Sequence, residues 1–443
     1  MKKILILGAA GRDFHNFNVF FRNNPEFHVI AFTAAQIPDI AGRCYPSALA
    51  GGLLYPDGIP IFEEEKLERL IANERIEAVV FSYSDISHQK LMHLASRVVA
   101  AGANFWLLGT EHTQLKSCVP VVSVCAVRTG CGKSPVSRLV ASELRRQGHK
   151  PVVVRHPMPY GDLAAQAVQR FATMQDLDLQ QCTIEEREEY EPHIHEGTVV
   201  YAGVDYERIL RQAEKEADII LWDGGNNDTS FFKSDLEIVV ADPHRPGHEL
   251  SYFPGEVNLR RAGVVVINKV DTAALHDVET VRRNIRENNP KATIVETACR
   301  VSVSQPALVK GKRVLVVEDG PTLTHGEMPY GAGVVAVQHF GAKELVYPKP
   351  FAIGSIRSTY DKYPHLTNLL PAMGYSPTQR HDLEETINRV PCDLVLIATP
   401  IDLARVITIN KPSLRVTYEV EELSHRGLTD VLARFELPVE VSR

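Results

Sequence analysis

The segment 121–134, VVSVCAVRTGCGKS, constrains this chain most, because in it an apolar strand turns through a glycine-rich loop into a helix. Such a turn directs successive backbone N–H groups and the start of the helix toward one anion-sized space. The segment departs from the GxxxxGK[ST] pattern at Val127, which stands where the first glycine is expected. It predicts a phosphate-binding loop (P-loop) formed by Thr129, Gly130, Cys131, Gly132, Lys133 and Ser134.

A carboxylate at the end of a second apolar strand complements this loop. Asp223 ends the run ADIILWD and is followed by two glycines, an arrangement that lets a carboxylate reach Mg²⁺ or one of its waters. In a P-loop, the lysine bridges the β- and γ-phosphates and the serine hydroxyl binds the metal ion. We therefore expect Lys133 to contact the phosphates, and Ser134 and Asp223 to be the metal ligands.

The sequence NKVD at 268–271 ends a third apolar strand. In an NKxD motif the Asn and the Asp read a purine edge, and the Lys stem covers the base. This pattern predicts that Asn268, Lys269 and Asp271 contribute to the nucleotide site, and by itself it favours guanine. A polar strand end without a ligand is the alternative interpretation.

Polar and charged residues follow several other predicted strands. The carboxyl ends of parallel strands share one edge of a sheet, and open α/β sheets bind ligands at that edge. Two His and an Arg in the loop 242–249, DPHRPGHE, suit a highly anionic second substrate. The candidate substrate-binding residues are Arg12, His15, Asp85, Arg155, His156, Arg245, His248 and His325.

Alternating apolar runs and amphipathic stretches predict an α/β protein with mostly parallel sheets. We expect a Rossmann-like domain at 1–115, a P-loop nucleotide-binding domain at 119–345 and a smaller C-terminal α/β portion at 346–443. The first turn, GAAGRD, lacks GxGxxG spacing, so a nicotinamide dinucleotide is not expected there. The apolar run 333–337 is predicted to be a strand.

Composition excludes several classes of function. The 48 Lys and Arg against 55 Asp and Glu leave a net charge of −7, which disfavours nucleic acid as a partner. The seven Cys residues are spread without metal-ligand spacing, which fits a reducing cytoplasm. No apolar stretch reaches 18 residues, so no membrane span is expected.

Longer motifs resemble those of the cyclic 2,3-diphosphoglycerate synthetase family, whose members are often described only as predicted GTPases. The resemblance rests on VRTGCGKS (127–134), EEYEPHI (188–194), VYAGVDY (200–206), ILWDGGNND (220–228), DPHRPGHE (242–249), YFPGE (252–256) and VEDGPTLTHGEMPYGAG (317–333). It implies an ATP-dependent, Mg²⁺-requiring ligase that closes the two phosphates of 2,3-diphosphoglycerate into an intramolecular phosphoanhydride. ATP is then the expected nucleotide, with GTP left open by the NKxD motif, and a cytoplasmic homodimer is expected.

Lys133, Asp223, Arg245 and His248 are the residues we expect to be catalytic in such a ligase. Two other functions stay open. One is a P-loop GTPase of regulatory or metallochaperone type, and the other is a slow nucleotide-sensing binding module that acts through a partner. The His- and Arg-rich loop at 242–249 favours the ligase, because a pure switch would not need cations for a second, small anionic phosphorylated substrate.

Overall fold

Two large β-sheets with flanking helices organise the computed structural model of this chain, which describes residues 1–34, 40–51, 54–156, 161–324, 326–373, 376–423 and 427–435. Most neighbouring strands run parallel, as expected when helices connect successive strands. The predicted α/β class, with a Rossmann-like sheet followed by a P-loop sheet, is confirmed.

The N-terminal part of the chain forms a six-stranded sheet in the order β3-β4-β2-β1-β5-β7. Its strands, with the short β6, are β1 (Lys2–Leu7), β2 (Phe27–Ala34), β3 (Cys44–Tyr45), β4 (Ile59–Glu63), β5 (Ala78–Phe81), β6 (Ile86–Ser87) and β7 (Asn104–Leu107). Its helices are α1 (Arg12–Asn16), α2 (Ser47–Ala50), α3 (Leu67–Glu74), α4 (His88–Ala100) and α5 (Thr110–Thr113).

The central part contains the P-loop strand β8 (Val121–Ala126). The other strands are β9 (Pro151–Arg155), β10 (Gln169–Phe171), β11 (Val199–Ala202), β12 (Ile219–Asp223), β13 (Leu236–Ala241), β14 (Tyr252–Phe253), β15 (Val264–Ile267) and β16 (Thr293–Val303). The helices are α6 (Lys133–Arg146), α7 (Met174–Leu179), α8 (Ile184–His195), α9 (Tyr206–Ala213), α10 (Gly255–Arg261) and α11 (Leu275–Asn288).

The strand order β9-β12-β8-β13-β15 places the P-loop strand in the middle of the sheet. These five strands are parallel, so their carboxyl ends meet at one edge. The P-loop and Asp223 therefore lie side by side, because β12 pairs directly with β8 in a register that sets Asp223 opposite Val124.

The C-terminal part continues the same sheet through β21, which pairs antiparallel with β16 and parallel with β20. Its strands are β17 (Arg313–Asp319), β18 (Glu344–Leu345), β19 (Leu370–Ala372), β20 (Leu394–Ala398) and β21 (Ser413–Glu422). Its helices are α12 (Gly320–Thr324), α13 (Ala332–His339), α14 (Gly354–Lys362), α15 (Pro377–Arg389) and α16 (Leu428–Arg434). One hydrophobic cluster draws on residues from 303 to 416, so it spans the boundary expected at 345; that boundary stays a prediction.

The run 333–337, predicted as a strand, lies instead inside helix α13. A short apolar run fits a buried strand and a buried helix equally well by its periodicity. The helix is favoured by a long-range contact, because the Glu318 carboxylate accepts hydrogen bonds from the backbone N–H groups of Gly331 and Val334 at its start.

In the described part of the chain, no helix combines the length and the apolar character that crossing a membrane requires. The expected cytoplasmic location and the homodimer stay predictions.

Candidate active site

The P-loop has the backbone that a phosphate cradle requires. Gly130 and Gly132 have φ values of +82° and +94°, a region that residues with a Cβ rarely adopt. A Cβ at position 132 would also lie 2.2 Å from Nδ2 of Asn268. Helix α6 begins immediately afterwards at Lys133, so the loop ends on a helix N-terminus.

Two residues of the NKxD motif brace this loop. Asn268 donates from Nδ2 to the Cys131 carbonyl at 3.0 Å and accepts from the Thr297 hydroxyl at 2.9 Å. Lys269 donates from Nζ to the Gly130 carbonyl at 2.5 Å and lies 2.9 Å from Asp242. These contacts make the two side chains part of the P-loop's support.

Asp223 is fully buried below the P-loop and is contacted by three cationic or donor side chains. Its Oδ1 lies 2.6 Å from Lys133 Nζ, and its Oδ2 lies 2.6 Å from an Arg155 NH group and 3.1 Å from His193 Nε2. Burial alone would raise the pKa of this carboxyl, but Arg155 and Lys133 hold its pKa well below the usual range. Asp223 is therefore ionised across the physiological pH range.

A cavity of about 890 Å³ opens in front of the loop. Among the predicted residues, it is lined by Arg12, Thr129, Gly130, Gly132, Lys133, Ser134, Arg155, His156 and Lys269. The Thr129 hydroxyl is buried and has no hydrogen-bond partner among the described residues. An unsatisfied buried donor beside a glycine-rich loop is the condition that a bound phosphate oxygen relieves, so this cavity fits a nucleoside triphosphate.

Ser134 and Asp223 fit the two roles expected at a magnesium site in a nucleotide enzyme. Mg²⁺ is usually held by one or two protein oxygens together with substrate phosphates and waters. Asp223 is ionised and contacts Lys133 and Arg155, two residues that line the cavity, and Ser134 lines the cavity as well. In the described part of the chain no group of three or more His, Cys, Asp or Glu residues is arranged to hold a metal without phosphates.

Arg245 does not occupy the position that the sequence suggested. Its guanidinium is 7% exposed and contacts Asp242 at 3.2 Å, the Cys131 sulfur at 3.4 Å and the Gly326 carbonyl. Among the described residues that line the cavity, Arg245 does not occur. The predicted substrate donor is thus turned toward the back of the P-loop, because buried Asp242 attracts both it and Lys269.

His248 accepts a hydrogen bond from Arg128, a P-loop residue that sequence reasoning did not select. The Arg128 guanidinium lies 2.7 Å from His248 Nδ1 and 2.6 Å from Asp85, and it stacks 3.5 Å from the Tyr252 ring centroid. Burial, Arg128 and Arg245 lower the pKa of His248 to about 4, so this ring is neutral near pH 7. Arg128 occupies a variable position of the P-loop pattern, which is why the motif gave no signal.

Asp85 connects the N-terminal sheet to the P-loop. Its carboxylate pairs with Arg128, and its backbone N–H donates to Asn227 at 2.8 Å. Neither Asp85 nor His248 belongs to the described residues that line the cavity. Both residues, predicted to contact substrate, instead fix the side chain of Arg128.

The remaining candidates of the N-terminal part differ in position. Arg12 lines the cavity but donates to the Thr229 carbonyl and stacks on Phe231. His15 is buried, donates to the Thr113 carbonyl at 2.6 Å and stacks on the same Phe231 ring. Burial and Arg12 lower its pKa to about 3, so His15 offers no charge to a substrate.

Two further predicted residues have clear positions. His156 lines the cavity and donates to Asp228 at 3.1 Å. Asp271 accepts from the Cys299 backbone at 3.1 Å. His325 lies outside the described residues.

Several site residues were missed from the sequence. Glu189, which pairs with Arg155, and His193, which donates to Asp223, lie on helix α8 within the acidic run 185–191 and the segment that follows it. By itself the run 185–191 fits a solvated helix face, and only the contacts of α8 with Arg155 and Asp223 show that the helix belongs to the site. Glu318 and Asp319 also line the cavity from the end of β17.

No protein-family model matches this chain. Among solved structures, LpxK from Aquifex aeolicus in complex with ATP is 13% identical with a TM-score of 0.44, covering 78% of this chain and 94% of that chain. The hydrogenase maturation factor HypB from Archaeoglobus fulgidus is 17% identical with a TM-score of 0.26, covering 40% of this chain and 80% of that chain. Both likenesses are too weak to inform the function.

A curated relative is far more similar. The arginine synthetase ArcE of Thermococcus kodakarensis is 63% identical over 431 residues, which are 97% of this chain and 96% of that protein. The predicted enzyme class, a nucleotide-dependent ligase, is confirmed at this level, whereas the relative's name does not extend to the cyclic 2,3-diphosphoglycerate reaction. At this identity and coverage, the chain belongs to the arginine synthetase ArcE family.

Proposed function

We propose that this chain is a nucleotide-driven ligase that forms arginine. The observation that carries the proposal is the 63% identity to an arginine synthetase over 97% of the chain. The P-loop, Asp223 and the cavity in front of them support it, because they provide the nucleotide site that a synthetase needs.

The chemistry of the product defines the class of reaction. Arginine ends in a guanidinium group, and a ureido group differs from it by one oxygen in place of one nitrogen. That oxygen leaves poorly until it is phosphorylated. Transfer of the γ-phosphoryl group to the ureido oxygen, followed by attack of ammonia at the same carbon, forms the guanidinium and releases phosphate and the nucleoside diphosphate.

The residues of the cavity have defined parts in such a reaction. Lys133 and the P-loop N–H groups bind the phosphates, and Thr129 offers its unpaired hydroxyl to a phosphate oxygen. Arg155, which lines the cavity, pairs with Asp223 and holds this ionised carboxylate in place. Ser134 and Asp223 would hold a Mg²⁺ ion, which would supply further charge neutralisation at the phosphates.

Closure of 2,3-diphosphoglycerate into its cyclic phosphoanhydride is the second candidate. It also proceeds through γ-phosphoryl transfer and displacement, and the motifs at 127–134, 242–249 and 317–333 favour it. However, two basic side chains that line the cavity are already paired, Arg155 with Glu189 and Asp223, and His156 with Asp228. A pentaanionic substrate would have to displace these carboxylates, so the arrangement favours a substrate whose reacting end carries no negative charge.

Phosphate release from ATP and from GTP tests both candidates. We expect release to require citrulline, which carries a ureido group, together with ammonium, and arginine to appear in equal amount by amino-acid analysis. Release driven by 2,3-diphosphoglycerate alone would instead support the cyclic product. Release that needs neither would favour a regulatory GTPase or a sensing module and would contradict the proposal. Lys133→Ala is the negative control and should release no phosphate. Lys310→Ala, which removes an exposed lysine outside the site, is the matched substitution and should behave like the wild type.

A further inference from the structure

The cavity extends beyond the P-loop to the carboxyl ends of strands in the C-terminal part of the sheet. β17 pairs with β20 in a register that sets Glu318 beside Ala398. Glu318, Asp319, Ala398 and Thr399 all line this end of the cavity, which we call the C-terminal lobe. None of these residues contributes to the nucleotide site described above, so the lobe is available to a second ligand.

Glu318 is a buried carboxylate without a cationic partner among the described residues. The residue is 2% exposed, and its Oε1 accepts the hydrogen bonds from Gly331 and Val334 at 3.2 and 3.0 Å. The backbone N–H of Gly333 is a third donor to this carboxylate. No cation pairs with Glu318 among the described residues, although it lines the cavity. Burial raises the pKa of Glu318 to about 7, which reflects the absence of a cation beside it.

Asp319 adds a second carboxylate to the same lobe. One of its oxygens accepts from the backbone N–H and the hydroxyl of Thr322 at 3.2 and 2.5 Å. Thr322 in turn approaches the P-loop so closely that a Cβ at Gly130 would lie 3.1 Å from its methyl group. The lobe therefore adjoins the phosphate-binding loop.

We propose that Glu318 and Asp319 form the subsite for the guanidinium end of arginine. This assignment rests on the proposed function. A guanidinium presents five N–H donors in a planar fork, which is suited to adjacent carboxylate oxygens. Because the ureido group is neutral and the product is cationic, carboxylates at this position interact more strongly with the developing positive charge than with the substrate, which favours the forward reaction.

A purely structural role is the competing explanation, because Glu318 also caps helix α13 through Oε1. Glu318→Gln separates the two roles. The amide oxygen of Gln accepts the same two backbone hydrogen bonds, while the negative charge is lost. A matched control is Glu344→Gln, which removes a charge from an exposed residue of β18 in the same part of the fold.

The experiment is isothermal titration of arginine and of citrulline into each protein in the presence of ADP and Mg²⁺. We expect Glu318→Gln to weaken arginine binding by about ten- to a hundredfold, the loss typical of one charged hydrogen bond. Citrulline, with the same α-amino and α-carboxyl groups but a neutral end, should bind to it nearly as it binds to the wild type. Glu344→Gln should change neither affinity.

The outcomes separate this assignment from the proposed function. If the wild type binds neither amino acid, the proposed function fails. If it binds both and Glu318→Gln weakens both equally, the carboxylate contacts the α-ammonium, and the guanidinium assignment is overturned. Unchanged arginine binding by both Glu318→Gln and Asp319→Asn would overturn it as well. Thermal unfolding of each variant at the same pH verifies that the helix cap is kept.

Discussion

Lys133 Nζ and Asp223 Oδ1 lie 2.6 Å apart, which joins the first residue of the P-loop helix to the end of the neighbouring strand. A lysine that bridges phosphates has to leave this carboxylate when a nucleotide binds. Asp223 would then keep the contacts with Arg155 and His193, so its charge stays compensated. The ion pair thus holds Lys133 beside the phosphate site in a position from which it can exchange partners.

The first prediction follows from this exchange. Lys133→Ala should lower turnover by a factor on the order of 10³ or more, because the positive charge of the lysine beside the transferred phosphoryl group is lost. The protein should still fold, since Arg155 and His193 remain beside Asp223. Phosphate release and thermal unfolding measure the two effects, with Lys310→Ala as the surface control. Near-normal turnover of the Lys133 variant would contradict the site assignment.

The second prediction concerns the metal ion. Turnover should stop in EDTA and return with Mg²⁺, because Ser134 and Asp223 offer the oxygen ligands that this ion prefers. Asp223→Asn removes the negative ligand and should raise the Mg²⁺ concentration needed for half-maximal turnover by about tenfold or more. Full activity of the wild type in metal-free buffer, or an unchanged Mg²⁺ requirement in the variant, would exclude this role.

The third prediction separates bracing from substrate binding at Arg245. Arg245→Ala removes contacts to Asp242, the Cys131 sulfur and the Gly326 carbonyl, so the P-loop loses support. Nucleotide affinity should therefore fall by about ten- to a hundredfold in isothermal titration, together with amino-acid turnover. A variant with intact nucleotide affinity and a raised Michaelis constant for the amino acid alone would restore Arg245 as a substrate residue. Arg97→Ala, at an exposed ion pair with Glu68, is the control.

These contacts show which parts of the site a sequence can reveal. The P-loop and Asp223 could be predicted because each is defined by residues that follow one another in the sequence. The apolar strands that precede them are likewise visible in short stretches of sequence. The orientation of Arg245 depends on buried Asp242, which also draws Lys269 from another strand. That competition is decided by packing and cannot be read from the order of residues.

The same limit applies to the missed residues and to the helix at 332–339. Glu318 is remote in sequence from Lys133, and its role at the start of α13 appears only when β17 and that helix pack together. The apolar run 333–337 has no feature that separates a strand from a helix, whereas the tertiary hydrogen bonds do. Long-range contacts therefore account for most of what the sequence did not predict.

The fourth prediction concerns the nucleotide base. Asn268 and Lys269 are occupied with the P-loop backbone, so Asp271 is the motif residue best placed to discriminate between bases. Asp271→Ala should change ATP-driven turnover by less than about threefold and reduce any GTP-driven turnover by tenfold or more, the loss of a charge-assisted hydrogen bond. Competition between ATP and GTP at fixed amino-acid concentration measures the ratio. A large loss with ATP would show that Asp271 acts through the support of the loop.

The last prediction uses a buried carboxylate at the N-terminal turn. Asp13 is 1% exposed, and its Oδ1 accepts from the backbone N–H groups of Ala10 and Phe14, each at 2.7 Å. Burial raises its pKa to about 6 despite these hydrogen bonds. The folded state therefore binds the proton more tightly than the unfolded state, so the stability from this group is complete below about pH 4 and is lost as the pH rises through 6.

Asp13→Asn keeps the accepting oxygen and removes the titration. The free energy of unfolding of the variant, relative to the wild type, should increase between pH 4 and pH 7 by up to about 3 kcal/mol, since one pKa unit corresponds to about 1.4 kcal/mol. Urea unfolding at a series of pH values measures this change. Asp57→Asn, at an exposed site, is the control variant and is measured over the same range. A pH-independent difference between Asp13→Asn and the wild type would show that Asp13 does not titrate differently in the folded and unfolded states.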